Sequence, residues 1–454
     1  MSEGGELPRD AGPELVRALG LWDSVALIMG IMIGSGVFLM AGAIALRLDS
    51  LPAVVAVWAF GGVLSLFGAF ALSELGAALP SAGGLYVYLT RVYGPGVGFV
   101  YGWSAMALIH AGGLATLAAA IGLYLGPILG LSPGETKVLR VGVIALFAVV
   151  NGLGVVVGKW VQNALTVLKL LGLAVMTAVL YAHGSAESLL KHWSRPASGL
   201  TWSAFGLALV AVLWAYDGWH FVSFAAGEIR EPSRTIPASL LIGTAITCAI
   251  YLVVNISYYA VLPREALRGA DRVASAAIGA SAGPGAALAL SLLISISILG
   301  AMNGILLGAA RVILAMSRDG LFFKVFGRIS PRFHTPVVAT VAQAAWAAAF
   351  TLVGTFEQLF TSYVFTAWIF YGLAVAGVFV LRRREPGLPR PYLCPWYPVT
   401  PAFFLLATAG IVASTFVASP RQSLLGVGLI LAGVPLYALF RALNRGPVGG
   451  ADGR

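Results

Sequence analysis

Two long apolar stretches of this chain are interrupted in the middle. One carries Ile31-Met32-Ile33-Gly34-Ser35-Gly36-Val37-Phe38, the other Trp214-Ala215-Tyr216-Asp217-Gly218-Trp219-His220. Backbone groups released by such a break are very costly in hydrocarbon unless they line a cavity or meet a partner. Two breaks at similar depth therefore constrain the chain to bring them together, close to the bilayer midplane.

The rest of the sequence supports a membrane setting. Of 454 residues, 59% are hydrophobic and 10% charged. A spanning helix takes roughly 20 apolar residues, and the chain divides into about twelve such segments. In order these are residues 21–46, 51–79, 95–125, 138–157, 160–182, 202–227, 237–262, 285–317, 336–354, 357–381, 399–418 and 423–443, numbered below as helices 1 to 12. The net charge of +10 sits in short connections, which makes it a topology signal and not a nucleic-acid footprint. With the N-terminus in the cytoplasm, about two-thirds of the Lys and Arg residues fall on the inner side, among them Arg318, Lys324, Arg328, Arg332, Arg382, Arg383, Arg384 and Arg390. The expectation is a multi-pass protein of the plasma (inner) membrane with both termini cytoplasmic. Residues 1–20 are polar, lack an apolar signal-peptide core and read as a cytoplasmic tail. Residues 444–454 read as a second one.

Helix 1 then enters from the inside and helix 6 from the outside. An odd repeat of five helices inverts its second copy, making the two broken helices equivalent. The domains expected are a first repeat at 21–182, an inverted repeat at 202–382, a proline-rich linker at 383–398, and helices 11 and 12 at 399–443.

A half-helix starting near Ser35 presents the N–H groups of Ser35, Gly36 and Val37, together with a positive dipole end that attracts an anion. The half-helix ending near Ile31 and Met32 presents carbonyls, as does the first half of helix 6 at Trp214, Ala215 and Tyr216. Donors and acceptors a few ångströms apart match a zwitterion, the carboxylate and amine of an amino acid. The competing reading makes Gly34 and Gly36 a small-residue packing face. Asp217 either caps the unwound strand or meets the substrate amine. Lys169, nine residues into helix 5 as segmented, sits about 14 Å from its start, too deep to reach water easily; such residues are functional by default, the alternative being packing with partial snorkelling.

Four stretches resemble the amino acid–polyamine–organocation superfamily, and within it the L-type amino acid transporter-like branch. They are Gly34-Ser35-Gly36-Val37-Phe38; Pro80-Ser81-Ala82-Gly83-Gly84-Leu85-Tyr86-Val87-Tyr88; Tyr216-Asp217-Gly218-Trp219 with Ala226-Gly227-Glu228, Pro232, Arg234 and Pro237; and Gly300-Ala301-Met302-Asn303-Gly304 with Arg311, Ser317-Arg318-Asp319-Gly320 and Thr335-Pro336. They cover about residues 17–400. The resemblance implies an all-α membrane protein with the LeuT-type 5+5 inverted repeat, discontinuous helices 1 and 6, and amino acid transport by alternating access. It also implies a substrate site formed by Ile31, Met32, Ser35, Gly36, Val37, Trp214, Ala215, Tyr216, Asp217, Gly218, His220 and Asn303. Lys169 would take the place of the sodium ion of sodium-coupled relatives, reaching carbonyls around Met29 and Gly30 and hydroxyls such as Ser295 or Ser297. His220 departs from the asparagine usual after Gly-Trp, which leaves side-chain specificity open. Asn303 either lines the site or makes an interhelical hydrogen bond, and His110 is either a buried core residue or a substrate contact. Glu74 and Glu228 are expected to pair with inner-gate arginines such as Arg230 or Arg311.

The function expected is sodium-independent transport of neutral L-amino acids, by exchange or proton coupling. A cationic amino acid or polyamine carrier of the same fold is the alternative, with Asp217 as the extra acid. A membrane-embedded enzyme needs a catalytic carboxylate pair, a histidine set or metal ligands, and the five histidines show no such spacing. No metal or cofactor is expected. Eukaryotic L-type relatives join a heavy chain through a cysteine in the connection between helices 3 and 4. Here Gly130-Leu131-Ser132-Pro133-Gly134-Glu135-Thr136-Lys137 has none, so no disulfide-linked heavy chain is expected.

Overall fold

The computed structural model describes residues 14–197, 200–270, 272–353 and 356–444. Most of the two expected tails, residues 1–13 and 445–454, lies outside the described residues. Among those described, ten helices are long and apolar enough to cross a membrane. Pro133–Gly152 and the shorter Val337–Val353 bring the set to the twelve expected. Apolar side chains on the outer faces of helices 4, 5 and 12, such as Val149, Leu171 and Leu431, are exposed in the chain alone, as a lipid-facing surface requires.

Helix 1 is two pieces, Leu21–Met32 and Gly36–Ala45. Helix 6 is also two, an α-helix Trp202–Tyr216 and a tighter 3₁₀ segment Phe221–Glu228. Helix 2 (Leu51–Ala78) lies along helix 7 (Pro232–Val261), and helix 1 crosses against helices 7, 5 (Val155–His183) and 8 (Val273–Arg318). The two breaks therefore meet at the centre of the bundle. Helix 10 (Phe356–Arg384) closes the side nearest helix 6, and helices 11 (Val399–Ala418) and 12 (Pro420–Asn444) pack outside it.

Several boundaries differ from the hydropathy reading, for local reasons. Helix 3 is preceded by a separate helix, Leu85–Tyr93, and then runs from Pro95 to Leu129 with a π turn at Ala105–Ile109. Helix 4 begins at Pro133, not 138, because Ser132 and Glu135 form a reciprocal cap at its first turn. Helix 5 begins at Val155, so Lys169 lies deeper along it than nine residues. The connection between helices 7 and 8 forms the short helix Arg264–Gly269 and the start of Val273–Arg318, which bends at Gly283. The former packs on the second half of helix 1.

The face that holds the start of helix 1 and the ends of helices 2 and 10 is closed by charge. Arg311 of helix 8 donates Nε and Nη2 to the two carboxylate oxygens of Glu228 at 2.9 and 2.6 Å, and both side chains are almost wholly buried. Arg382 makes the same two-pronged contact with Glu74 at 2.8 and 2.6 Å, and the Cys394 amide donates to Glu74 at 2.8 Å. The Tyr86 hydroxyl donates to Asp319 at 2.7 Å, and Lys159 donates to Asp23 at 3.0 Å. Leu19 and Arg230 pair through their backbones, joining the segment before helix 1 to the one after helix 6. Glu74 and Glu228 thus hold arginines as expected: Glu228 takes Arg311, one of the two named, and Glu74 takes Arg382 in place of either.

Removing one partner of a buried ion pair leaves an uncompensated charge, at a cost of about 3–5 kcal/mol. Arg311→Met is expected to lower the melting temperature of the purified protein by several degrees. An unchanged melting curve would show that the pair does not hold this face together.

Candidate functional site

At the first break, the Ile33 amide reaches back to the Met29 carbonyl and the Gly34 amide to Met32. Ser35 then starts a new helix, with Phe38 and Leu39 donating to its carbonyl. The Ser35 hydroxyl does not cap that helix. It is buried and has no hydrogen-bond partner. The leading amides of a helix have no carbonyl of their own turn behind them. An unused hydroxyl and a helix N-terminus therefore point at the same small space.

At the second break, Asp217 is extended and Gly218 has φ of +112°, a conformation that favours glycine. A side chain on Gly218 would also collide with Ile31, its Cβ lying 2.6 Å from that residue's Cγ2. Gly36 is tighter still, since a Cβ there would sit 2.5 Å from the Cα of Ala215. The two broken helices touch backbone to backbone at this point. Gly36 therefore serves a close packing contact with helix 6, as the small-residue reading has it, while it also lines the space beside Ser35.

The carbonyls of Met32 and Ala215 are not open. Both accept from the hydroxyl of Tyr251 of helix 7, at 2.5 and 2.9 Å. One phenol thus fastens the end of each first half-helix to the other. Sequence reasoning missed Tyr251, since a tyrosine in an apolar helix gives no sign of what its hydroxyl meets.

Lys169 is fully buried and spends its three N–H donors on the carbonyls of Gly30, Ile33 and Ser297, at 2.7, 2.7 and 2.8 Å. The Ser297 hydroxyl donates to the Ile33 carbonyl at 2.7 Å. The expected partners on helix 8 need correction: Lys169 takes the backbone oxygen of Ser297 and not a hydroxyl, and Ser295 turns to the carbonyl of Ser291. A lysine ammonium has only donors, so carbonyls are the partners that satisfy it.

A small cavity lies between the breaks, lined by Ile31, Met32, Gly34, Ser35, Gly36, Gly113, Leu117, Trp214, Asp217, Ile305 and Tyr363. Trp214 stands edge-on to Phe360 and Tyr363 of helix 10. Of the residues expected to form the site, Ile31, Met32, Ser35, Gly36, Trp214 and Asp217 line it. Val37, Ala215 and Gly218 lie in the breaks but not on its wall. Tyr216 points away, its hydroxyl donating to the Trp58 carbonyl of helix 2 at 3.1 Å. Asn303 is also turned away: its amide donates to Gln162 and Gly158 of helix 5 and its oxygen accepts from Asn151 of helix 4. That is the interhelical hydrogen bond of the two readings. His220 lies behind Asp217 among aromatic rings, and His110 is buried in the same layer. Gly113, Leu117, Ile305 and Tyr363 join the wall from helices 3, 8 and 10, where only the fold could have placed them.

Two discontinuous helices facing each other across a small central cavity, inside a multi-pass bundle, define a membrane transporter. The chain belongs to the amino acid permease family, whose profile matches residues 19–440. It is 32% identical to the serine/threonine exchanger SteT of Bacillus subtilis (strain 168), over 93% of this chain and 96% of that one. It is 31% identical to the b(0,+)-type amino acid transporter 1 of Homo sapiens, over 94% and 88%, and 28% identical to the cystine/glutamate transporter of Homo sapiens, over 97% and 89%. The protein is an amino acid transporter of the amino acid–polyamine–organocation superfamily and not an enzyme.

Gly36→Ala is expected to reduce uptake by at least tenfold while the protein still folds, because the added methyl needs Ala215 to move. Wild-type uptake by that variant would separate the contact from transport. Tyr251→Phe leaves two carbonyls without their donor, a loss of about 1–3 kcal/mol for buried groups. It should lower both the melting temperature and the affinity for substrate, measured on the same preparation.

Proposed function

We propose that the chain carries small neutral amino acids across the plasma (inner) membrane by alternating access, exchanging one for another without sodium. The observation that carries this reading is the composition of the cavity wall. Ser35 and the helix start behind it suit a carboxylate, Asp217 suits an ammonium, and Gly113, Leu117, Ile305, Trp214 and Tyr363 offer the side chain an uncharged surface. A lysine or arginine side chain would arrive with no second carboxylate among the described residues of that wall. A desolvated, unpaired charge costs several kcal/mol, enough for about a hundredfold discrimination. The similarity to a serine/threonine exchanger agrees with a small substrate and with exchange.

Sodium independence rests on Lys169. A fixed ammonium fills the space among the carbonyls of Gly30, Ile33 and Ser297 where a free cation would bind. The arginine-rich face, with Arg382, Arg383, Arg384 and Arg390, is assigned to the cytoplasm by the positive-inside bias. Both termini belong to that side. The repeats run over 21–182 and 202–382, with the two breaks as their equivalent elements. Opening toward the cytoplasm requires the Glu228–Arg311 and Glu74–Arg382 contacts to part. The connection from Gly130 to Lys137 carries no cysteine, so the transporter acts without a disulfide-linked heavy chain.

In proteoliposomes, uptake of labelled L-serine is expected to be unchanged when choline replaces sodium, and to be competed by alanine and threonine far better than by arginine. A large loss of rate in choline would overturn the role given to Lys169. Arginine competing as well as alanine would favour the cationic carrier. Lys169→Ala should lower uptake at least tenfold, as it frees three carbonyls and unties helices 1, 5 and 8.

A further inference from the structure

His220 is unusual in its setting. It is almost wholly buried, and its Nδ1 has no hydrogen-bond partner. Nδ1 stands 4.0 Å from Oδ1 of Asp217, the one carboxylate among the described residues of the cavity wall. The same oxygen accepts from the Tyr371 hydroxyl of helix 10 at 2.9 Å, which fixes the carboxylate's orientation toward the imidazole. The His220 ring packs against Tyr371 and Phe221, with centroids 4.5 and 4.8 Å away, and is shielded further by Trp219 and Phe224. On the far side of Phe221 and Phe224 lies His110 of helix 3, with neither ring nitrogen bonded.

Buried polar atoms without partners are rare and call for a reason. Packing alone supplies none here, because an imidazole among aromatic rings serves no better than a phenyl ring. The titratable groups facing the pair are Tyr371 from helix 10 and Tyr101 and His110 from helix 3. Among the described residues no lysine or arginine makes an ion pair or hydrogen bond with Asp217 or His220. The pair's charge is therefore set by its own protons and by what occupies the cavity.

We propose that Asp217 and His220 together form a proton-binding site that competes with the amino group of the substrate. The proton enters from the cavity through Asp217, whose side chain is 11% exposed against 1% for His220. One proton bound by the pair brings its net charge from −1 to zero. The substrate ammonium then loses its counter-charge and binds less tightly. By linkage, substrate binding expels that proton. With the pair deprotonated, affinity is at its plateau; as pH falls through the pair's apparent pKa, affinity falls by up to tenfold per unit, the limit for one proton. Bulk solution pH on either side of the membrane would thus bias loading on that side. This rests on the amino acid reading of the cavity given above.

The test is binding of L-serine, L-alanine and L-leucine to the full chain in nanodiscs between pH 5.5 and 8.5, with proton release followed by a pH indicator in weak buffer. The expected result is an affinity that rises with pH and then levels, with up to one proton released per amino acid bound. His220→Asn keeps a polar group of similar reach without a titrating ring. It should still bind the amino acids, with the pH dependence displaced along the pH axis, because Asp217 alone then holds the proton. His110→Phe should retain the wild-type pH profile. Flat wild-type affinity with no proton release overturns the proposal, and it does so without any variant that must fold. A pH dependence left unmoved by His220→Asn, or lost in His110→Phe alone, also overturns it. No binding of any of the three amino acids at any pH would sink the cavity reading itself, and this inference with it.

Discussion

Everything in this structure turns on satisfying backbone groups released inside a membrane. A break in a spanning helix is tolerable only when each exposed carbonyl and amide finds a partner or a ligand. Lys169 covers two carbonyls at the end of the first half of helix 1 and one on helix 8. Tyr251 covers one carbonyl at each break. What remains uncovered is the Ser35 hydroxyl and the start of the second half-helix. The carbonyls of Gly30, Met32, Ile33 and Ala215 are thus taken up by the architecture, while the donors at Ser35 are left facing the cavity. The site is in this sense the residue of a hydrogen-bond problem that the rest of the fold has solved.

The same constraint explains the distribution of ion pairs. At the centre of the bundle one ammonium meets neutral carbonyls, which hold it in place without neutralising it. At the face closed by charge, Glu74 and Glu228 meet arginines in two-pronged geometry, where water can replace either partner when the face opens. Buried pairs are poor sources of net stability but costly to half-break. Two such pairs on one face make a partial separation of that face unfavourable.

The fold was legible in the sequence because its signals are long-range in composition but simple in form. Twelve apolar runs, two of them holed by Gly34-Ser35-Gly36 and Asp217-Gly218, are readable without any contact information. Asp217 and Lys169 stood out because charged residues in hydrocarbon are rare. Tyr251 and Tyr371 did not, since their function lies wholly in where the hydroxyl ends up. Asn303 was read in two ways because a helix of small residues offers more than one face, and only the packing of helix 5 decides between them. His220 follows the break directly in sequence, yet the turn at Gly218 rotates it behind Asp217. Helix 6 continues as a 3₁₀ segment, which spacing arguments for an α-helix do not foresee.

The hydrogen bond from the Ser297 hydroxyl to the Ile33 carbonyl joins residues 264 apart in the chain. During synthesis, at about 5–20 residues per second, the partner of that carbonyl emerges on the order of tens of seconds after it. Lys169 arrives earlier, but helix 8 still later completes its cage. Helix 1 must therefore enter the bilayer before its break can take its final form, either as a continuous helix that unwinds later or under the shelter of the insertion machinery. A nascent chain stalled before residue 297 would carry a first helix different from the one in the finished protein.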